Sequence, residues 1–577
     1  MKPNSKNSLN FLKKTPIKKI NIYIILLSCI NFLQAVFTPI IADEAYYWMY
    51  SKNLAFGYFD HPPMVAYIIK ISSFLFPDSI LGVRFVTIIL LALTVKIVWK
   101  LIPKEKKAYK HSELIFMALI LSMPIFNLYG FITTPDGPLL LSAALFLVSL
   151  NKISKKESFL NILFFGTSIA LLIYSKYHGG IIIVLAAILK YELLKKWSTY
   201  LSGLIALLLI IPHIYWQFQN DFITFNFHLF QRTSGAFNFN NVIHYLLSTL
   251  FILNPALIIL LFFNLKKQRV QRMKDAFFVK IFIGFLTFFL IYSFRSRIEA
   301  HWVAISAIPM VILIYNQVIT SEYMKRKIKL IGIVSIVLIF SARILIMLNL
   351  PLNTMFHKER KNYFEAIFEK ANGKNVVFVN SYQKASKYFY YTGEQSYSDN
   401  NVFYRKNQYD ILNSEDYFND TSVLFIGASP SKIFDRLNVG ENEIVLHHTI
   451  EKYPIFNKLQ ASIKNPNFFK LNKNGSLNLT INNPYEYTID LKQKELPYTL
   501  NIHLQKERTQ HFIPLKTSAA KRIKPGINKN VSANWQLSDK ILNGKYKLQI
   551  VMQAGYLPSK VISKKYDVMI KKEITLY

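Results

Sequence analysis

Residues 19–48 read KINIYIILLSCINFLQAVFTPIIADEAYYW, an apolar run that ends on two adjacent carboxylates, Asp43 and Glu44, and three aromatic rings. A helix that crosses a bilayer needs roughly 20 predominantly apolar residues, and this run supplies them. Carboxylates immediately beyond a span are costly so close to hydrocarbon, and ionisable groups at that depth mark functional positions. An Asp/Glu pair also favours the N-terminus of an interfacial helix, with the aromatic rings as a belt at the membrane border. Either reading places this stretch where a membrane meets water.

Runs of the same kind recur at 80–102, 113–130, 137–151, 158–175, 179–194, 198–215, 242–264, 276–294, 301–319 and 328–349, giving with 20–41 an expected eleven spans. The 577-residue chain is 52% hydrophobic and 15% aromatic, yet carries 69 Lys+Arg against 33 Asp+Glu, a net charge of +36. The apolar content excludes disorder, and a single cysteine, Cys29, excludes a disulfide scaffold. Nucleic-acid binding would account for the charge but not for the apolar runs, so no nucleic-acid partner is expected.

The charge has a direction. Residues 1–349 hold 36 basic and 13 acidic residues, and 24 of the basic ones fall in six short segments. These are the start (Lys2 and Lys6, then Lys13, Lys14, Lys18, Lys19), Lys104–Lys110, Lys152–Lys156, Lys195–Lys196, Lys266–Lys274 and Lys325–Lys329. Basic short loops stay cytoplasmic, which places the N-terminus inside the cell and makes the first span an expected uncleaved anchor. All six lie inside only if 62–77 does not cross, so that segment is expected as a helix in the outer interface. Residues after 350 then lie outside. They carry 33 basic and 20 acidic residues and no run long enough to span. Within them 350–454 reads as an α/β segment and 455–577 as a β-rich domain of short alternating strands, such as Ser476–Ile481 and Tyr546–Met552.

The outer connections are sparsely charged, and their polar residues form the candidate site. The first loop holds Asp43, Glu44, Tyr46 and Tyr47, then Gly57-Tyr58-Phe59-Asp60-His61-Pro62-Pro63, whose prolines stiffen the chain and start the next helix. The second is Thr133-Thr134-Pro135-Asp136-Gly137-Pro138, where the aspartate also suits a turn. The third contains Ser175-Lys176-Tyr177-His178, with Lys176 placed either to function or to snorkel from a span end. Later loops add His228 and Arg232, then Arg295, Arg297, Glu299 and His301. Arginines on the outer side run against the positive-inside trend, and their fork of donors suits phosphate. Asp60 and His228 are also candidates for a divalent cation, although no closed ligand motif is present. Transporters place such groups near the midplane; here they gather at the border, which suits an enzyme joining a membrane-embedded donor to an outer acceptor.

The ordered set DEAYYW, YFDHPP, TTPDGP, SKYHGG, FHLFQR and EAHW resembles the bacterial family 39/83-like glycosyltransferases, a group that includes lipid A aminoarabinose transferase and protein O-mannosyltransferases. The resemblance covers the membrane half and reaches into Val376–Gly393. It implies a polytopic α-helical GT-C fold and a sugar donor carried on a polyprenyl (undecaprenyl) phosphate. Lipid A or another envelope glycolipid is the favoured acceptor, because the basic outer domain would attract anionic lipid headgroups. Asp43 matches the family's essential acid and Asp136 a second important one, with Glu44 beside them as a third catalytic candidate. Asp60 and His61 stand where lipid A transferases carry Glu-Lys, and Tyr46 where they carry Arg. His61, Lys176, Arg295 and Arg297 are then the expected donor-phosphate contacts. Tyr46, Tyr47, Asp60, His228, Arg232 and His301 are the expected sugar or acceptor contacts. A protein O-glycosyltransferase and a non-catalytic polyprenyl-lipid flippase are the alternatives.

Overall fold

The computed structural model describes residues 19–571 apart from 233–236, 268–274, 349–354, 428–432, 440–442, 465–469, 507–508, 518–521 and 527–528. Lys13, Lys14, Lys18 and most of the basic loop Lys266–Lys274 lie outside the described residues. The chain divides into two compact units, Met1–Lys358 and Glu359–Tyr577.

The first unit is helical throughout, and every apolar run read from the sequence forms helix. The runs differ in length. Seven helices among the described residues are long and apolar enough to cross a membrane: Lys19–Phe37, Leu81–Leu101, Asp136–Lys155, Trp197–Gln219, Ala276–Ser293, Ala300–Val318 and Glu322–Met347. Phe239–Leu253 and Pro255–Phe263 make an eighth if a pair bent by 90° is one span. The bend falls at Asn254, whose φ of 73° stops the helix and whose side chain caps the next by accepting from the amides of Ala256 and Leu257.

The other three expected spans fall short of that length. Run 113–130 is cut by Pro124, which removes a helical hydrogen bond, into Ser112–Ser122 and Pro124–Leu128. Phe159–Ser175 has 17 residues, and Gly179–Leu189 has 11 before the chain tightens into the short 3-10 helix Tyr191–Lys195. The expected eleven is therefore seven or eight by length, with the shorter apolar helices packed among them. Met64–Leu75, the segment expected to lie in the interface, rises only about 18 Å in its 12 residues, too short for a roughly 30 Å core.

The Ala300–Val318 segment is sheathed by its neighbours, with Ala307 through Val318 all buried. At the other extreme, Leu330, Ile333, Val337 and Leu338 of the last span are exposed, as side chains facing lipid should be. Gly166 lets Phe159–Ser175 approach Trp197–Gln219 closely, since a Cβ there would stand 2.6 Å from the Ser202 carbonyl oxygen. Small residues at such crossings are how membrane helices gain packing where no hydrophobic gain is available.

The second unit opens on a five-stranded sheet. Asn375–Val379 pairs in parallel with Ser396–Asp399 and Val423–Ile426, and Ile444–Ile450 and Asp435–Asn438 extend it antiparallel. A six-stranded sheet centred on Tyr498–Lys506 and Gly544–Ala554 and a four-stranded sheet centred on Asn474–Asn482 and Lys529–Gln536 follow. Leu477, Leu479 and Ile481 are buried while their neighbours on the strand are not, the alternation of a sheet with one face in a core.

Candidate functional site

The first loop folds back as the helix Ala42–Lys52, with Asp43 and Glu44 in its first turn, where carboxylates favour the unpaired amides of a helix start. The two acids have opposite surroundings. Asp43 is exposed and Glu44 is fully buried. Glu44 accepts from Arg84 Nε at 2.8 Å and Arg84 Nη2 at 2.5 Å, from the Thr133 amide at 2.9 Å and from the Ile41 amide at 3.2 Å. Each of its oxygens takes two donors, which fills the lone-pair capacity of a carboxylate. Arg84 spends its remaining donors on the carbonyls of Ala35, Thr38 and Pro39. Three chain segments, residues 35–44, Arg84 and Thr133, are tied together at this point.

Three residues beyond Thr133, Asp136 begins the helix Asp136–Lys155 with 1% of its surface exposed. Lys176 Nζ lies 2.9 and 3.1 Å from its two carboxylate oxygens, and the Thr134 hydroxyl donates to one of them at 3.3 Å. His301 Nε2 stands 4.0 Å away. Burial pushes the Lys176 ammonium down from its ordinary range, Asp136 pulls it back, and Arg232 presses it down further. Arg232 itself sits 4.3 Å over the Trp302 ring. Tyr129 stands within electrostatic reach of Asp136, Asp43 and Glu299 together, which brings the exposed acid of the first loop to the edge of the same cluster.

Beside this pair lies a layer of histidines and tyrosines. The Tyr50 hydroxyl donates to Asp60 Oδ1 at 2.7 Å, and His228 Nε2 bonds the Asp60 backbone carbonyl at 2.9 Å. His61 Nε2 is 3.1 Å from the Tyr47 hydroxyl, and its ring is 6.5 Å from that of His228. Burial pushes His61 down to about 3, so the imidazole offers a neutral hydrogen-bonding edge and not a standing positive charge. Tyr46 packs edge-on against Tyr50 behind this layer. His178 packs against Trp302 and Phe289, and its buried Nδ1 has no hydrogen-bond partner among the described residues.

Five loops thus converge at one end of the helices, bringing together Asp136, Lys176, His61, His228, Arg232 and His301. Arg295 and Arg297 do not join them in the same way. Both are exposed, and Arg297 turns to His244 at 3.2 Å and Glu299 at 3.7 Å. Among the described residues no three metal-ligating side chains gather. His228 meets Asp60 through the backbone carbonyl, and the Asp60 carboxylate accepts from Tyr50. Sequence reasoning missed Arg84 and Tyr50 as partners. Arg84 was legible only as a lone cation inside an apolar span, a position that membrane energetics marks as functional or paired.

Residues 60–216 match the family model described as dolichyl-phosphate-mannose-protein mannosyltransferase. Among solved structures, the chain resembles ArnT from Cupriavidus metallidurans in its apo state, with 11% identity, a TM-score of 0.50, and 74% of this chain and 97% of that chain covered. The same protein bound to undecaprenyl phosphate matches at 10% identity with the same TM-score and coverage. No curated protein matches the sequence. At these identities the likeness is one of fold: this is a multi-pass membrane protein with a GT-C architecture and a strand-rich C-terminal unit.

Proposed function

We propose that this chain is a glycosyltransferase of a bacterial inner membrane that moves a sugar from a polyprenyl-phosphate donor, with undecaprenyl phosphate as carrier, to lipid A or another envelope glycolipid on the periplasmic side. The observation that carries the reading is the buried Lys176–Asp136 pair with Arg232 nearby, gathered from separate loops in a fold like that of a protein crystallised with undecaprenyl phosphate.

In the reaction an acceptor oxygen bonds to the anomeric carbon of the donor sugar. The bond from that carbon to the phosphate oxygen breaks, and the polyprenyl phosphate leaves with the electron pair. Negative charge therefore grows on the phosphate, and cations placed there in advance lower the barrier. Lys176 and Arg232 take that role, with Asp136 orienting the Lys176 ammonium. Asp43, exposed at the rim, accepts the proton of a hydroxyl acceptor; a phosphate acceptor would need orientation more than deprotonation. Glu44, with its oxygens filled, braces the loops. Tyr47, His61 and His228 present neutral donors and acceptors to the sugar. Residues 1–349 would carry out transfer, and the basic segments after 350 would favour anionic lipid headgroups.

The test is transfer itself. Purified protein in nanodiscs, given polyprenyl-phosphate sugar with a radiolabel in the sugar, should move label to lipid A. Label on protein would favour a protein O-glycosyltransferase. Lipid translocation with no transfer to any acceptor would favour a flippase and sink the proposal.

A further inference from the structure

We propose that the Phe512 side of the six-stranded sheet in the second unit binds the pyranose rings of a linear, uncharged oligosaccharide. Tyr498–Lys506 turns Leu500, Ile502 and Leu504 into the core and Asn501, His503 and Gln505 to the opposite face. Register extends that face across three strands. Phe512 and Gln549 flank His503, and Gln510 and Lys547 flank Gln505. Asn501 and His503 are buried on that face too, and beside them two phenylalanines stay exposed.

Phe512, on the edge strand Thr509–Pro514, is 38% exposed, and Phe403, from the loop after the first sheet's edge strand, is 59% exposed. Their rings meet at 74° with centroids 5.6 Å apart, a platform and a wall. His503 lies beneath, stacked on Phe512 at 4.9 Å and edge-on to Phe403 at 6.0 Å. Its Nε2 is 2.8 Å from Gln510 Oε1, which makes Nε2 the protonated nitrogen and leaves Nδ1 a bare acceptor. Nδ1 is buried and has no partner among the described residues. An unfilled acceptor at the foot of two exposed rings lacks a hydroxyl.

The chemistry of a sugar ring matches this arrangement. A pyranose has an apolar C–H face that stacks on an aromatic ring and an equator of hydroxyls that amides and imidazoles bind as both donors and acceptors. Burial pushes His503 below its ordinary value, so the imidazole is neutral. Lys547 Nζ is paired with Asp567 at 2.6 Å, and Lys565 stands within electrostatic reach of His503. Beside these charges the patch offers amides and rings, which suit the hydroxyls and C–H face of a neutral sugar. Because stacking reads the ring and not its substituents, recognition should tolerate the identity of the sugar.

The test uses the full-length protein in nanodiscs with maltotetraose and chitotetraose as probes, read by saturation-transfer NMR. Transfer to the ring C–H protons is expected for at least one probe. Phe512→Ala and Phe403→Ala should each weaken binding about tenfold or more, a loss of roughly 1.4 kcal/mol. Phe512→Tyr should retain binding, and Tyr417→Ala, an exposed ring of the same unit away from the sheet, should leave it unchanged. If neither probe binds, or if binding survives loss of both phenylalanines, the proposal fails. Sugar transfer by the helical unit is measured separately, so either idea can fall alone.

Discussion

Arg84 and Glu44 form a fork-to-carboxylate pair that is wholly withdrawn from solvent, with both side chains at 0% exposure. The pair stands between the two acids assigned to the reaction. Glu44 is the neighbour of Asp43, and its Oε1 holds the Thr133 amide three residues before Asp136. The spacing of the exposed acid and the buried one is therefore set by a residue pair that itself has no oxygen left for substrate.

Removing one half of this pair leaves a buried, uncompensated charge, which typically costs about 3–5 kcal/mol. Arg84→Met should lower the thermal midpoint of the purified protein sharply and reduce its accumulation in the membrane. The double variant Arg84→Met/Glu44→Gln, which removes the stranded carboxylate charge, should recover part of that loss. It should still transfer sugar slowly, because the loops are no longer tied. Full activity in the double variant would refute the bracing role.

Asp43→Asn should behave differently. The side chain is exposed, so the protein should accumulate and melt like the wild type, while transfer to a hydroxyl acceptor falls about 10²–10⁴-fold, the usual loss for a general base. Asp78→Asn provides the control. Asp78 is exposed with a φ of 47°, a left-handed conformation that asparagine accepts readily, so activity and stability should both hold. Retention of more than about a tenth of the rate in Asp43→Asn would move the base to Asp60 or Asp136.

What could be read in advance followed from periodicity and charge. Apolar runs located the long helices of the first unit, and alternation located strands such as Asn474–Asn482, because both depend on local pattern. Run length misled where local chemistry broke a helix: Pro124 divides one run and Asn254 bends another by 90°. At the site, the loops that would converge were legible from their sparse charges. The pairings were not. Nothing in the spacing of Glu44 and Arg84, or of Asp136 and Lys176, says that each carboxylate lies opposite a cation 40 residues away. Glu44 and Asp43 look alike in sequence, and only tertiary burial separates a brace from a base.

The basic loops make a prediction about sidedness. A reporter active only in the outer compartment should work when fused after Lys358, where the first unit ends, and stay silent within Lys104–Lys110. Equal signals at the two positions would break the single-face arrangement on which the reaction scheme depends.

Asp410 makes the last prediction, in the second unit. Its carboxylate accepts from the Asn407 amide and from Asn400 Nδ2, both at 2.8 Å, yet burial outweighs these bonds and raises it to about 6. An unfolded aspartate titrates near 3.9. The folded state therefore holds its proton more tightly than the unfolded state, and its stabilising contribution is complete below about pH 4 and lost as pH rises through about 6. The difference amounts to at most about 3 kcal/mol between pH 4 and pH 7.5. Asp410→Asn keeps an oxygen for both donors and removes the titration. The full-length variant, unfolded at a series of pH values and followed by hydrogen exchange in 400–410, should lose the decline in protection between pH 4 and 7 that the wild type shows. An unchanged slope in the variant would assign the pH dependence to another group and leave Asp410 a neutral turn residue.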